Sequence, residues 1–269
     1  MGIFRHWDNL AERSTFRSDR PVYVYYKGGA LGDNLMPAYI VETLNDHDID
    51  AYLLPSPHSH LVSCKKAIAP CGNGFLFKAR RQNRTGFDTT EKHTVYTDLL
   101  AEFARKAGMS EPFPAKRDHI PVIYDSVSDS PIVDLVLVSV TGNWTPYRLW
   151  PFFDELRIRL QREGVRYIDA SLEALTDQRF LTVIDRCKLF VTLETGASHY
   201  ASQVANGKCL VLQSGYCNFS YWAGNYRYTE LANPVSCAPC WKRELCDRDH
   251  ECMTGLSVDR VMAEILARI

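Results

Sequence analysis

Apolar residues fall in short blocks along this chain, and their spacing alternates between strand-like and helical. Val22 to Tyr26 is a β-rich run. After a glycine-rich turn, Leu35, Ala38, Tyr39, Val41 and Leu44 recur at the three-to-four-residue interval of a helix face. Ala51 to Leu54 predicts a second strand, stopped by Pro55 and Pro57. Residues 70–94 hold Gly72-Asn73-Gly74 and then Lys78, Arg80, Arg81 and Arg84, and they follow no clear period. Thr97 to Ala107 predicts a helix through Leu100, Ala101, Phe103 and Ala104, with Gly108 as its stop.

The stretch 108–132 carries Pro112, Pro114, Pro121 and Pro131 among scattered charges and predicts a domain boundary. The alternation then repeats. Ile132 to Val140 predicts a buried strand ending in Thr141-Gly142-Asn143. Trp150-Pro151 opens a helix through Phe153, Leu156 and Leu160, because proline suits a first turn whose amides have no helical partner. Gly164 stops it, and Val165 to Ile168 is a short strand. Phe180 to Cys187 predicts a helix, Leu189 to Leu193 a strand, Ala197 to Ala205 a helix and Lys208 to Gln213 a strand. Ser257 caps a last helix on which Val258, Val261, Met262, Ile265 and Leu266 share one face. Strands alternating with helices predict an α/β protein with parallel sheets. The economical architecture is two facing Rossmann-like domains, a reduced one at 1–128 and a second at 129–269. Ligands then bind at the C-terminal ends of the strands.

Length and charge narrow the function classes. At about 150 residues per domain, 269 residues hold one large domain or two small ones. The 31 basic side chains are balanced by 32 acidic ones, so a general nucleic-acid or anionic-surface binder is disfavoured. No apolar run approaches the ~20 residues of a membrane span. Met1 to Arg20 is polar, without the apolar core of an export signal, so a cytoplasmic location is expected.

Nine cysteines sharpen that picture. Cys187 and Cys209 sit in or beside apolar runs and read as small core residues. Cys64, Cys71 and Cys217 are isolated and read as inert. Cys237, Cys240, Cys246 and Cys252 form C-x2-C-x5-C-x5-C. Two thiolates in one turn grip a tetrahedral ion and two more close its shell, so a structural zinc or iron is expected. A reduced, unliganded loop or two local disulfides fit the same spacing.

Three further groups fall at strand ends. Gly28-Gly29-Ala30-Leu31-Gly32-Asp33 leads from a strand to a helix, whose first amides favour phosphate or carboxylate. It reads equally as a tight turn with Asp33 as the helix cap. Glu194-Thr195-Gly196-Ala197-Ser198-His199 follows a buried strand and places turn amides, a hydroxyl and an imidazole at a helix start. Packing of that histidine against the sheet is the plain alternative. In Tyr147-Arg148-Leu149-Trp150-Pro151, Arg148 precedes a helix and offers a planar fork of donors to phosphate oxygens, or it is a solvated neighbour of a core tryptophan. Tyr216, Phe219, Tyr221, Trp222, Tyr226 and Tyr228 crowd one stretch and suit a sugar, a base or a core wedge.

Taken in order, these segments resemble the bacterial heptosyltransferases, glycosyltransferase family 9, which have the two-domain GT-B fold. That family shows a Gly-Asp after its first strand, matched by Gly32-Asp33. It has a lysine two residues before a Trp-Pro, where this chain has Arg148 before Trp150-Pro151. It has Asp-(Ser/Thr)-Gly-x-x-His, where this chain has Glu194 to His199. Many members then carry a Cys-x-x-Cys and further cysteines before a final helix, and a subgroup that modifies autotransporter proteins has a cysteine metal finger there. The resemblance covers residues 20–54 and 133–269.

The resemblance implies an inverting glycosyltransferase that moves a sugar, expected to be heptose, from a nucleotide-diphospho-sugar such as ADP-heptose to a glycan or protein hydroxyl. Asp33 would be the general base, and Arg148 would stabilise the diphosphate leaving group. Gly32, Glu194, Thr195, Gly196 and His199 would hold the donor. Arginine for lysine keeps charge but changes geometry, and glutamate for aspartate adds a methylene. Cys237, Cys240, Cys246 and Cys252 would hold a structural metal that braces a loop or an oligomer contact, with no metal ion in the chemistry. Without a transmembrane segment, any contact with the inner membrane would be peripheral. A nucleotide-sugar epimerase or hydrolase, and a non-catalytic binding or assembly protein, are the rival classes.

Overall fold

The structure is a computed structural model that describes residues 15–26, 35–70, 74–79, 95–114, 122, 124, 125, 127, 129–139, 148–204, 207–217, 227–241 and 246–269. The chain divides into two compact units, Met1–Ile123 with Ser220–Asn225, and Tyr124–Phe219 with Tyr226–Ile269.

The first unit contains β1 (Val22–Tyr26), α1 (Leu35–Asn45), β2 (Ala51–Leu53), a single 3-10 turn at Ser59–Leu61, β3 (Phe75–Ala79) and α2 (Val95–Ala107). Its strands pair in parallel in the order β2-β1-β3. Alternate residues face opposite sides of the sheet. Tyr23, Tyr25 and Leu76 pack with Leu54 on one side. On the other, Phe75 and Phe77 meet Phe103 of α2 edge-on, with ring centroids 5.8 and 5.2 Å apart. Edge-to-face rings let the positive rim of one meet the negative face of the other. β3 is the element that residues 70–94 concealed. Its five residues include Lys78, and a glycine-rich turn precedes it, so no period of two is legible there.

The second unit contains β4 (Leu135–Val138), α3 (Phe153–Arg162), β5 (Tyr167–Asp169), α4 (Asp177–Arg186), β6 (Leu189–Leu193), α5 (Gly196–Val204), β7 (Cys209–Gln213), β8 (Thr229–Ala232), a short α6 (Glu251–Thr254) and α7 (Val258–Leu266). All five strands are parallel, in the order β5-β4-β6-β7-β8. Leu135, Leu137, Val191, Leu193, Leu210 and Leu212 face α3 and α7 in one apolar cluster. On the opposite face, Phe190 packs against Phe180 of α4. Helices therefore cover both faces, the arrangement that buried parallel strands require.

The local signals act as their chemistry demands. Thr176 and Ser257 cap α4 and α7, each accepting from the amide three residues on at 3.3 Å. Gly164 takes φ 69° after α3, and the Val165 amide bonds back to Leu160 O at 3.0 Å. β4 is shorter than the apolar run Ile132 to Val140. Ile132 is exposed, and the ladder starts only at Leu135, opposite Tyr167 and Leu189. β8 went unread because Thr229–Ala232 is an edge strand that buries only Leu231.

Trp150 joins the two ends of the second unit. Its indole is buried between Phe152 and Phe153 and donates to Leu256 O at 2.7 Å. Pro151 stands in the turn before α3 and not in its first helical turn as expected, and Trp150 ties that turn to the one that precedes α7, 106 residues later.

Candidate functional site

In a sheet of order 2-1-3-4-5, the connections from the first strand run to opposite sides, which leaves a crevice at the C-terminal ends of the first and third strands. Here these are β4 and β6. All five side chains of β6 are buried, so the strand delivers its next residue, Glu194, into a site only 3% exposed. Leu193 of β6 pairs with Leu212 of β7, which sets Glu194 beside Gln213, itself 4% exposed.

Arg148 reaches this point from the turn before α3. Its Nη1 donates to Glu194 O at 3.2 Å and lies 3.4 Å from Glu194 Oε1. The guanidinium carbon sits 4.4 Å from the centre of the Tyr216 ring, a cation–π contact. Cys217 Sγ donates to Glu194 Oε1 at 2.7 Å. Gln213 Nε2 lies 3.5 Å from Glu194 Oε2, donates to Ser214 O at 2.8 Å and also reaches Cys217 O. Two buried polar atoms have no hydrogen-bond partner among the described residues, Arg148 Nε and Gln213 Oε1. A buried donor and a buried acceptor left over beside one carboxylate mark a place for ligand or water.

The turn after Glu194 is knitted by its own hydroxyls. Thr195 Oγ1 accepts from the Ala197 amide at 3.2 Å. Ser198 Oγ accepts from the Thr195 amide at 3.1 Å and donates to Thr195 O at 2.6 Å. These bonds start α5 at Gly196 and put half-buried His199 in its first turn. The structure thus brings Arg148, Glu194, Thr195 and Gly196 into one neighbourhood. Gly32 and Asp33 lie outside the described residues, as do Arg80, Arg81, Arg84 and most of the aromatic stretch. Gln213, Tyr216 and Cys217 belong to the site although no motif marks them. The legible hints were the strand end at Gln213 and the aromatic crowd that begins at Tyr216.

The cysteine loop docks on the same Ser214–Cys217 segment. The Cys240 amide donates to Gly215 O at 2.9 Å, and the Trp241 amide to Tyr216 O at 2.8 Å. A side chain at Gly215 would be tight: a Cβ there would lie 3.1 Å from Cys252 Cβ and 3.3 Å from Ala238 Cβ. Among the described residues, no group of three or more His, Cys, Asp or Glu is arranged to hold a metal ion, and all four loop cysteines are free thiols. They nevertheless converge. Burial, together with the charges of Cys240, Cys246 and Cys237, pushes the Cys252 thiol above its ordinary value. Burial lifts Cys64 and Cys187 to about 12 and raises Cys209 as well, so all three stay protonated at neutral pH.

Two parallel α/β units, the second with its site at the β4–β6 crevice, define the GT-B class of nucleotide-sugar-type folds. No protein-family model and no curated protein matches the sequence. Solved structures do match the fold. The dodecameric iron-containing heptosyltransferase TibC, solved in complex with ADP-D-beta-D-heptose, is similar at a TM-score of 0.67 and 13% identity, over 93% of this chain and 77% of that one. A glycosyltransferase family 9 protein from Veillonella parvula is similar at 0.57 and 11%, over 93% and 97%. The E. coli heptosyltransferase WaaC with ADP is similar at 0.55 and 12%, over 93% and 100%. The chain has the fold of the heptosyltransferases.

Proposed function

We propose that this protein is an inverting glycosyltransferase that takes a sugar, heptose by our reading, from a nucleotide-diphospho-sugar to a hydroxyl of a glycan or protein. The observation that carries the reading is Arg148, pinned at the β4–β6 crevice with a buried Nε–H that has no partner among the described residues. A planar cation held in a mostly buried site is suited to the charge that develops on a departing diphosphate. ADP-heptose is the proposed donor because ADP and ADP-heptose are bound by the similar structures WaaC and TibC.

In the proposed reaction Asp33 accepts the proton of the acceptor hydroxyl. The freed oxygen attacks the anomeric carbon from the face opposite the leaving group. The bond from that carbon to the diphosphate oxygen breaks, and the nucleoside diphosphate departs with the electron pair. Arg148 compensates its charge, with the Gly196 amide and His199 at the start of α5 as further donors.

The test is direct. ADP and ADP-heptose should raise the melting temperature of the full chain by mass action, where GDP and UDP should not. ADP-heptose with an acceptor should yield ADP and a glycosylated product of inverted anomeric configuration. Loss of donor without any acceptor would place the protein with the epimerases or hydrolases, and binding without turnover over a broad acceptor panel would make it a binding protein.

We further propose that Cys237, Cys240, Cys246 and Cys252 hold an iron or zinc ion. Four thiols suit a soft or borderline cation, and Cys252 Sγ and the Cys240 amide both lie against Gly215. Bound there, a metal supplies a cross-link between the loop and the strand end. Four thiolates leave no open position for substrate. Protein purified without added metal should contain close to one equivalent of iron plus zinc by elemental analysis. Less than about a tenth of an equivalent would count against the site.

A further inference from the structure

We infer that Tyr216 and Cys217 are positioning residues for Arg148, and that Glu194 acts through Arg148 and does not serve as a donor ligand. This deepens the reading of Arg148 as the diphosphate-binding group and rests on it.

The inference comes from where the Glu194 carboxylate is engaged. Oε1 receives the Cys217 thiol at 2.7 Å and faces Arg148 Nη1 at 3.4 Å, while Oε2 faces Gln213 Nε2 at 3.5 Å. A buried carboxylate whose Oε1 takes a thiol hydrogen and faces a guanidinium is an anchor, because moving it would break a charge-assisted bond and separate a buried ion pair. The added methylene of glutamate lets the carboxylate fold back onto the end of β7. Glu194 O and Oε1 then both hold the guanidinium at Nη1, and the Tyr216 ring supports its face at 4.4 Å. A planar cation held at one corner and on one face is restrained, so its Nε–H, unpaired among the described residues, keeps one direction.

The support is itself supported. Tyr216 is 4% exposed, and its ring meets Trp241 at 5.8 Å in an edge-on contact. Backbone bonds from Cys240 and Trp241 hold the Gly215–Tyr216 carbonyls. The cysteine loop therefore sets the height of Tyr216 under Arg148, and an order of contacts runs from loop to ring to guanidinium.

Two measurements on the full-length protein test this. The first is the Arg148 Nε–H resonance in nitrogen-labelled protein, assigned by its loss in Arg148→Lys. It should lie upfield because of the Tyr216 ring and should move in both Tyr216→Leu and Cys217→Ala. The second is ADP affinity by titration calorimetry. Each of these variants should bind ADP about 5- to 20-fold more weakly, the range expected for losing a desolvated cation–π contact or a buried hydrogen bond. Tyr216→Phe and Cys217→Ser, which keep the ring face and the donor, should recover most of that loss. In an Arg148→Lys background the loss should shrink below about twofold, since lysine has no plane to support. Glu194→Gln keeps shape and bulk, so it serves if a larger change fails to fold, and it too should move the resonance. An unmoved resonance in Cys217→Ala and Glu194→Gln, or an ADP loss that persists in full beside Arg148→Lys, overturns the inference. A resonance that moves as expected in a protein that binds no ADP upholds the positioning and overturns the donor reading.

Discussion

Arg148→Ala should lower kcat/KM for the nucleotide-sugar by about 100-fold or more, the scale seen when one group aimed at developing transition-state charge is removed. The variant has a second effect that must be separated from the first. Glu194 is 3% exposed, and Arg148 is the cation beside it. Removing one partner of a buried pair leaves an uncompensated charge, a penalty of up to about 3–5 kcal/mol. The double variant Arg148→Ala/Glu194→Gln neutralises that charge. It should recover much of the lost stability, read from the urea midpoint, while turnover stays as low as in the single variant. Recovery of turnover together with stability would show that Arg148 served the fold alone. Arg148→Lys should fall between, because a lysine keeps the charge and loses the fork that Glu194 and Tyr216 hold.

Trp150→Ala should be the most destabilising single change in the second unit, at about 4 kcal/mol within the usual range of about 3–5 for a buried aromatic. Three losses combine. The largest fully buried side chain among the described residues leaves a cavity between Phe152, Phe153 and α7. Leu256 O loses its indole donor and stays buried unless water enters. The tie between the start of α3 and the start of α7 is also broken. Trp150→Phe should cost less, about 1–2 kcal/mol, because it removes the hydrogen bond and keeps most of the packing. Urea unfolding followed by tyrosine fluorescence or circular dichroism distinguishes the two. An alanine variant within about 1 kcal/mol of the parent would mean that the α3–α7 contact does not limit stability.

Much of the second unit is legible without coordinates. The run 189–193 is apolar except for Thr192, and 209–212 is apolar between Lys208 and Gln213, a near-continuous pattern that fits strands buried on both faces. Ser257 and Gly164 mark helix ends through local chemistry that needs no distant partner, whereas the Thr176 cap of α4 lies ahead of the Phe180 start that the apolar pattern suggests. The first unit is less transparent. β3 carries a lysine and follows glycines, and its strand character comes from pairing with β1, a contact made about 50 residues away in sequence. β8 likewise owes its existence to β7, since an edge strand with one buried side chain has too little pattern of its own.

The site divides in the same way. Arg148, Glu194, Thr195, Gly196 and His199 were legible because each stands next to a turn or helix start that local rules mark. The four clustered cysteines were legible by spacing, but which backbone they brace was not. Gln213, Tyr216 and Cys217 carry no motif, and Cys217 reads from sequence as an inert thiol. By itself, the sequence determined that strands alternate with helices, where α7 starts and α3 stops, and which residues stand at the ends of β6 and β7. Those properties depend on neighbours within a few residues. Only the tertiary structure decided that the end of β7 meets the end of β6, that Glu194 turns back onto Arg148, and that the cysteine loop lies under Tyr216. Those are contacts between segments far apart in the chain, selected by parallel strand order and by the need to pair buried charge.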